Sequence, residues 1–87
     1  MQRDVFEREL DREGFTQRVT VTRDAGDLDV HVHPFEAKAL ILSGEIAIRV
    51  GAEERVYREG DVFHLRANEP HAERYGPTGV MYLVGRK

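Results

Sequence analysis

HVHPFEAKALILSG, residues 31–44, is the stretch that decides how the rest of the chain is read. Side chains on a strand alternate between two faces, so His31 and His33 point the same way and can converge on one ion. Pro34 has no N–H to give to a ladder and ends the regular pairing. Ala39, Leu40, Ile41 and Leu42 then start a new strand that is apolar at every position, the pattern of a strand covered on both faces. Ser43-Gly44-Glu45 is expected to turn the chain into a third strand.

Upstream of this stretch, Asp4 to Glu13 reads as a short helix. Asp4 is the expected cap, Glu7 follows it three residues later as in a capping box, and Gly14 suits the left-handed position just past the end. Val5, Phe6 and Leu10 fall on one side. A helix this short is marginal alone in water, so the stripe is expected to dock on the sheet with Phe15 anchoring its end. From Gln17 the period drops to two, with Val19 and Val21 alternating against Arg18, Thr20 and Thr22. Asp24-Ala25-Gly26-Asp27 is a turn cluster, and the next strand is expected over Leu28 to His33.

Downstream, Ile46, Ile48 and Val50 alternate with Ala47 and Arg49. Gly51 to Arg55 is expected to form a hairpin loop, with Val56 and Tyr57 returning. Glu59-Gly60-Asp61 turns the chain into a short strand, Val62 to Leu65. Arg66 to Pro70 leads into His71 to Tyr75, Gly76-Pro77-Thr78-Gly79 reads as a turn, and Val80 to Val84 closes as a last strand. Many short strands separated by turns indicate a sandwich or barrel. The chain therefore reads as an all-β domain over residues 1–87, with a helical segment at 1–15 and a barrel at 17–84.

Composition narrows the chemistry. The 13 basic and 16 acidic residues give a net charge of -3 and are interspersed, so no phosphate-tracking face is legible and no nucleic-acid partner is expected. With no cysteine, disulfides, thiolate nucleophiles and thiolate metal ligands are out of reach, and any metal must be held by nitrogen and oxygen. The N-terminus has no apolar core of signal-peptide length, and no run approaches the ~18 apolar residues of a membrane span. No membrane partner is expected, and a cytoplasmic location is. A domain of this size buries only about two-thirds of the surface its unfolded chain exposes. Ala39–Leu42 and Val80–Val84 are apolar on both faces and one short helix covers only part of them, so a homodimer is expected.

The order and spacing of these residues resemble the two signatures of the cupin superfamily. In the first, G-x5-H-x-H-x(3,4)-E-x6-G, His31, His33 and Gly44 stand where expected, while Gly26 precedes His31 by one residue fewer than the pattern asks. The glutamate position holds Ala37, with Glu36 one place early. In the second, G-x5-P-x-G-x2-H-x3-N, Gly60 and His71 match, with Arg66, Asn68 and Tyr75 in place of proline, glycine and asparagine. The resemblance spans Gly26 to Tyr75 and implies a jelly roll, a double-stranded β-helix barrel, with a metal site.

His31, His33 and His71 are the expected metal ligands, the first two by alternation and the third by the matched second signature. Two imidazoles on one strand face are costly to bury without a shared purpose. Three imidazoles with an open position suit a divalent transition metal such as zinc, iron, nickel or copper. For the fourth position there are three options: Glu36, if the Pro34-Phe35 turn is short; Glu73, which follows His71 by two and so shares its face; or water. Glu73 is the favoured candidate and the candidate catalytic residue, as ligand, water-binding group or general base. His64 matches no signature position and is expected at the surface. Val30, Val32, Ile41, Ile48 and Val62 are the expected apolar wall of a pocket open to a small molecule. The functional expectations are a metal-dependent oxygenase, isomerase or lyase, a non-enzymatic ligand or metal sensor module, or a cupin fold with a vestigial site.

Overall fold

Two stretches in which glycines suggest turns are continuous strands, and they carry the architecture. The computed structural model describes Met1–Lys87. One helix, α1 (Arg3–Glu13), precedes β1 (Gln17–Arg23), β2 (Gly26–His31), β3 (Ala37–Val50), β4 (Glu53–Arg58), β5 (Val62–Leu65) and β6 (His71–Arg86). β3 passes straight through Ser43-Gly44-Glu45, and β6 passes through Gly76-Pro77-Thr78-Gly79.

These two strands pair antiparallel along their length, with Gly44 opposite Val80 and Ile46 opposite Tyr75. Glu45 is therefore faced by the whole of Gly76–Gly79, an outsized bulge that bends the pair without reversing either strand. Gly44 sits at φ 73°, and a Cβ there would collide with the Gly79 carbonyl oxygen. The turn-forming residues are there to bend the sheet.

The bend divides the pair into two arms. One arm, β3 from Ala37 to Gly44 with β6 from Val80 to Arg86, is flanked by β5 and β1; the other, β3 from Ile46 with β6 up to Tyr75, is flanked by β4 and β2. Two four-stranded layers built from one bent pair make the jelly roll that the resemblance implies.

The barrel interior collects Ala39, Ile41, Tyr82 and Val84 from one arm and Ile46 and Ile48 from the other, with Phe63 and Leu65. Leu40 and Leu83 point the opposite way and are closed over by Phe6, Leu10 and Phe15. All five are at most 4% exposed. A fully buried Leu or Phe contributes roughly 1.5–3 kcal/mol, so this outer cluster fastens α1 to the sheet. The uninterrupted apolar runs thus have both faces covered within one chain, the second of them by α1.

Several boundaries differ from the sequence reading. The helix cap is Gln2, which makes no side-chain capping bond, while Asp4 lies inside the first turn, where an acid favours the helix dipole, and pairs with Arg8 at 3.7 Å. Gly14 is left-handed as expected, and Phe15 is buried. β2 begins earlier and ends at His31, because Asp27 and Gly26 already pair with β6. The β3–β4 hairpin has only Gly51 and Ala52 at its tip, since Val50 already pairs with Glu53. No helix is long and apolar enough to cross a membrane.

Candidate metal centre

The last residue of β2, the segment just after it and the start of β6 meet inside the barrel. His31 lies opposite His71 across the β2–β6 ladder. His33, just past β2, is held by a 2.7 Å bond from the Asn68 N–H to its carbonyl. Asn68 adopts φ 60° at the position where the resembled signature has glycine, a conformation asparagine tolerates better than most residues. Alternation from His71 carries Glu73 inward, where its side chain is 9% exposed.

One ligand atom from each of His31, His33, His71 and Glu73 lies within 4.8 Å of all the others. The structure therefore brings together the three histidines and the favoured carboxylate. Ring centroids of His31 and His71 are 4.3 Å apart, and those of His33 and His71 4.8 Å apart.

The hydrogen bonds suit an ion at this point. His71 Nδ1 donates to the Glu69 carbonyl at 2.9 Å, and His31 Nδ1 donates to the Asp29 carbonyl at 2.8 Å. Each bond leaves Nε2 as a lone pair aimed into the cluster. Glu73 Oε2 is 3.2 Å from both Nε2 atoms. His71 Nε2 is nevertheless buried without a hydrogen-bond partner, so it and the carboxylate aim at a common point between them. Two ligands ~2.1 Å from one ion stand about 3.0 Å apart at a right angle and about 3.4 Å apart at a tetrahedral one. The observed separation lies between these values. Burial, followed by the charges His71 and His31 would carry, pushes the His33 imidazole below its usual range and favours the neutral, ligating form.

Glu36 lies elsewhere. Its backbone pairs reciprocally with Lys87 at 2.8 and 3.0 Å, and its carboxylate meets His64 Nε2 and, at 3.9 Å, Lys87 Nζ. In the regular alternation Ala37 takes the inward position, 4% exposed. His64 is at the surface, as expected, in this outer pair.

The apolar wall also needs correction. Ile41 and Ile48 face inward, but Val30 and Val32 are 58% and 54% exposed, because they alternate with inward-pointing histidines. Val62 packs outward against the α1 cluster, opposite Leu40. The residues that do line the cavity beside the cluster, about 40 Å³, include His33, Phe35, Phe63, Glu73, Tyr82 and Arg86. A larger cavity of about 240 Å³ shares Phe63 and Leu65 as lining.

Tyr75, Tyr82 and Arg86 were missed as site residues. Tyr75 donates its hydroxyl to Glu73 Oε1 at 3.0 Å, and burial, then the Glu73 charge, pushes its phenol well above the usual range. Tyr82 is pushed up to about 12, chiefly by burial. Alternation from His71 reaches Tyr75 and from Val80 reaches Tyr82 and Arg86, so the signal was present. The turn assigned to residues 76–79 cut the strand that links the two sets.

A family model described as Cupin domain matches residues 17–82. Among solved structures, a Salmonella typhimurium protein named for ethanolamine utilization gives a TM-score of 0.70 at 19% identity, covering 79% of this chain and 55% of that one. An RmlC-like cupin from Shewanella frigidimarina gives 0.68 at 21% identity, with 80% and 63% covered. Both likenesses are of fold. The DMSP lyase DddQ from Ruegeria pomeroyi gives 0.67 at 28% identity, with 80% of this chain and 36% of the lyase covered. The chain spans less than two thirds of each of these proteins. A search of curated protein sequences finds no significant match.

Proposed function

This chain belongs to the cupin family, and we propose that it holds one divalent transition metal through His31, His33, His71 and Glu73 and acts on a small molecule bound beside the ion. The supporting observation is Glu73 Oε2, 3.2 Å from two imidazole nitrogens with which it makes no hydrogen bond. A set of three imidazoles and a carboxylate suits zinc, iron, nickel or copper and leaves positions open. Such an ion supplies Lewis acidity when bound.

The chain's own residues do the rest. Glu69 and Asp29 carbonyls fix the tautomers of His71 and His31, and Tyr75 holds one oxygen of Glu73 so that the other faces the imidazoles. Phe35, Phe63 and Val84 supply apolar lining to the adjoining cavity, beside the polar groups of His33, Glu73 and Arg86. A lyase or isomerase reaction is the preferred class, supported by the likeness to a lyase and by a carboxylate placed to move a proton. Metal analysis of untagged protein tests the site: about one ion per chain is expected, and none in a His33→Ala/His71→Ala variant. Undiminished stoichiometry in that variant overturns the assignment.

A homodimer in the cytoplasm completes the proposal. Leu40 and Leu83 lie under α1, so pairing is assigned instead to Leu28, Val30 and Val32, three exposed apolar side chains close together on and just after the edge strand β2.

A further inference from the structure

We infer that Arg86 is an anion clamp at this site, gripping the carboxylate of a small acid whose neighbouring oxygen reaches the metal. The inference rests on the metal reading above and names the substrate class it would serve.

Arg86 is the last residue of β6 and shares the inward face of Val80, Tyr82 and Val84. It lines the same cavity of about 40 Å³ as His33 and Glu73. Its guanidinium carbon lies 4.6 Å from the centroid of Phe35, and the Phe35 ring is stacked on His33 with centroids 4.7 Å apart. The cation and a candidate ligand are thus carried by one aromatic ring.

The head of this arginine is unspent. Its Nε is buried with no hydrogen-bond partner, and it joins none of the chain's salt bridges. Arg18 has the same orphaned Nε, but there Nη2 meets the Asp11 carboxylate and the Glu7 carbonyl. An arginine donor removed from water normally has an oxygen partner, and a planar fork of N–H groups matches a carboxylate.

Charge points the same way. A divalent ion with three neutral imidazoles and one carboxylate keeps one positive charge, and Arg86 adds a second. The ligand that balances this cavity is an anion. Size limits it as well: at ~10–15 Å³ per water-sized position, the cavity beside His33 admits a carboxylate and an adjoining carbon. A 2-hydroxy acid or 2-oxo acid presents the two oxygens required, one to Arg86 and one to the ion.

Glycolate and its neutral counterpart glycolamide are the probes. Cobalt-loaded protein is titrated with each, reading the visible cobalt spectrum and calorimetric heat, after the cobalt content of every variant has been measured. Glycolate is expected to bind and to perturb the spectrum. Arg86→Gln should weaken glycolate binding roughly 10–100-fold at unchanged cobalt content, with Arg86→Lys in between. Glycolamide should bind wild-type protein as weakly as glycolate binds Arg86→Gln. Equal glycolate affinity in wild type and Arg86→Gln, or glycolamide as tight as glycolate, overturns the clamp and leaves the metal site standing. Where Arg86→Gln fails to fold, Arg86→Lys, which keeps the charge and loses the planar fork, carries the comparison, and glycolate affinity equal to wild type there overturns the clamp. A protein that takes up no cobalt overturns the metal reading and the clamp with it.

Discussion

Tyr75 donates its hydroxyl to Glu73 Oε1 at 3.0 Å, and this single bond leaves Glu73 Oε2 as the carboxylate oxygen facing His31 and His71. Tyr75→Phe removes the bond and keeps the ring. Loss of a partner that orients a ligand typically costs ~10–100-fold in metal affinity, and that is the weakening expected in a chelator competition. A Tyr75→Phe protein that retains metal like wild type would show that the cluster orients Glu73 unaided.

Glu73 and Glu36 should separate in the same assay. Glu73→Gln is expected to leave the fold intact and to weaken metal retention, or an activity once one is assigned, by ~10²-fold or more. Glu36→Gln is expected to leave retention near wild type, because its carboxylate faces His64 and Lys87. Equal losses in the two variants would be incompatible with the observed geometry.

Acid should destabilise the metal-free protein through His33. Its folded-state value is depressed, first by burial and then by the charges of His71 and His31, below the ordinary 6.5. Below pH 6.5 the unfolded chain therefore binds more protons at this position than the folded one. The stability is fully present above that value and is lost as pH falls through the folded-state one. Melting curves of the metal-free protein should show a falling midpoint in this window, and His33→Gln should flatten the dependence.

Leu83→Ala opens the joint between α1 and the sheet. Leu83 is 4% exposed and packs with Phe6, Leu10, Phe15 and Leu40. A buried Leu→Ala change costs about 2–5 kcal/mol, and a lowered denaturation midpoint of that size is expected. A shift below ~1 kcal/mol would mean that the helix packs less firmly than its burial implies.

Pairing through the β2 edge predicts a light-scattering mass near twice the 10.0 kDa of one chain. Val30→Lys should return it to the monomer mass, since a charge on an exposed edge opposes strand-to-strand contact.

The sequence made the barrel legible because its period changed where the chain left the helix, and because His31, His33 and His71 stood at signature spacings. Glu73 followed from simple alternation. Arg86 and Tyr82 did not emerge, and the reason lies at residues 76–79: glycine and proline usually reverse a chain, but here opposite partners keep the strand in register through a bulge. Glu36 was ambiguous because a carboxylate one place early faces away from the site on a strand, and only the pairing of Ala37 with Leu65 decides the phase. Val30 and Val32, on and just after β2, face outward by the very alternation that turns the histidines inward.

The Gly76–Gly79 bulge stands between His71, Glu73 and Tyr75 on one arm of β6 and Tyr82 and Arg86 on the other. A single strand thus delivers both halves of the cavity, and this short segment sets the distance between them. Lengthening or trimming it would alter the size of molecule admitted while every side chain that contacts the molecule stayed the same, so the span of the site can be retuned independently of its chemistry.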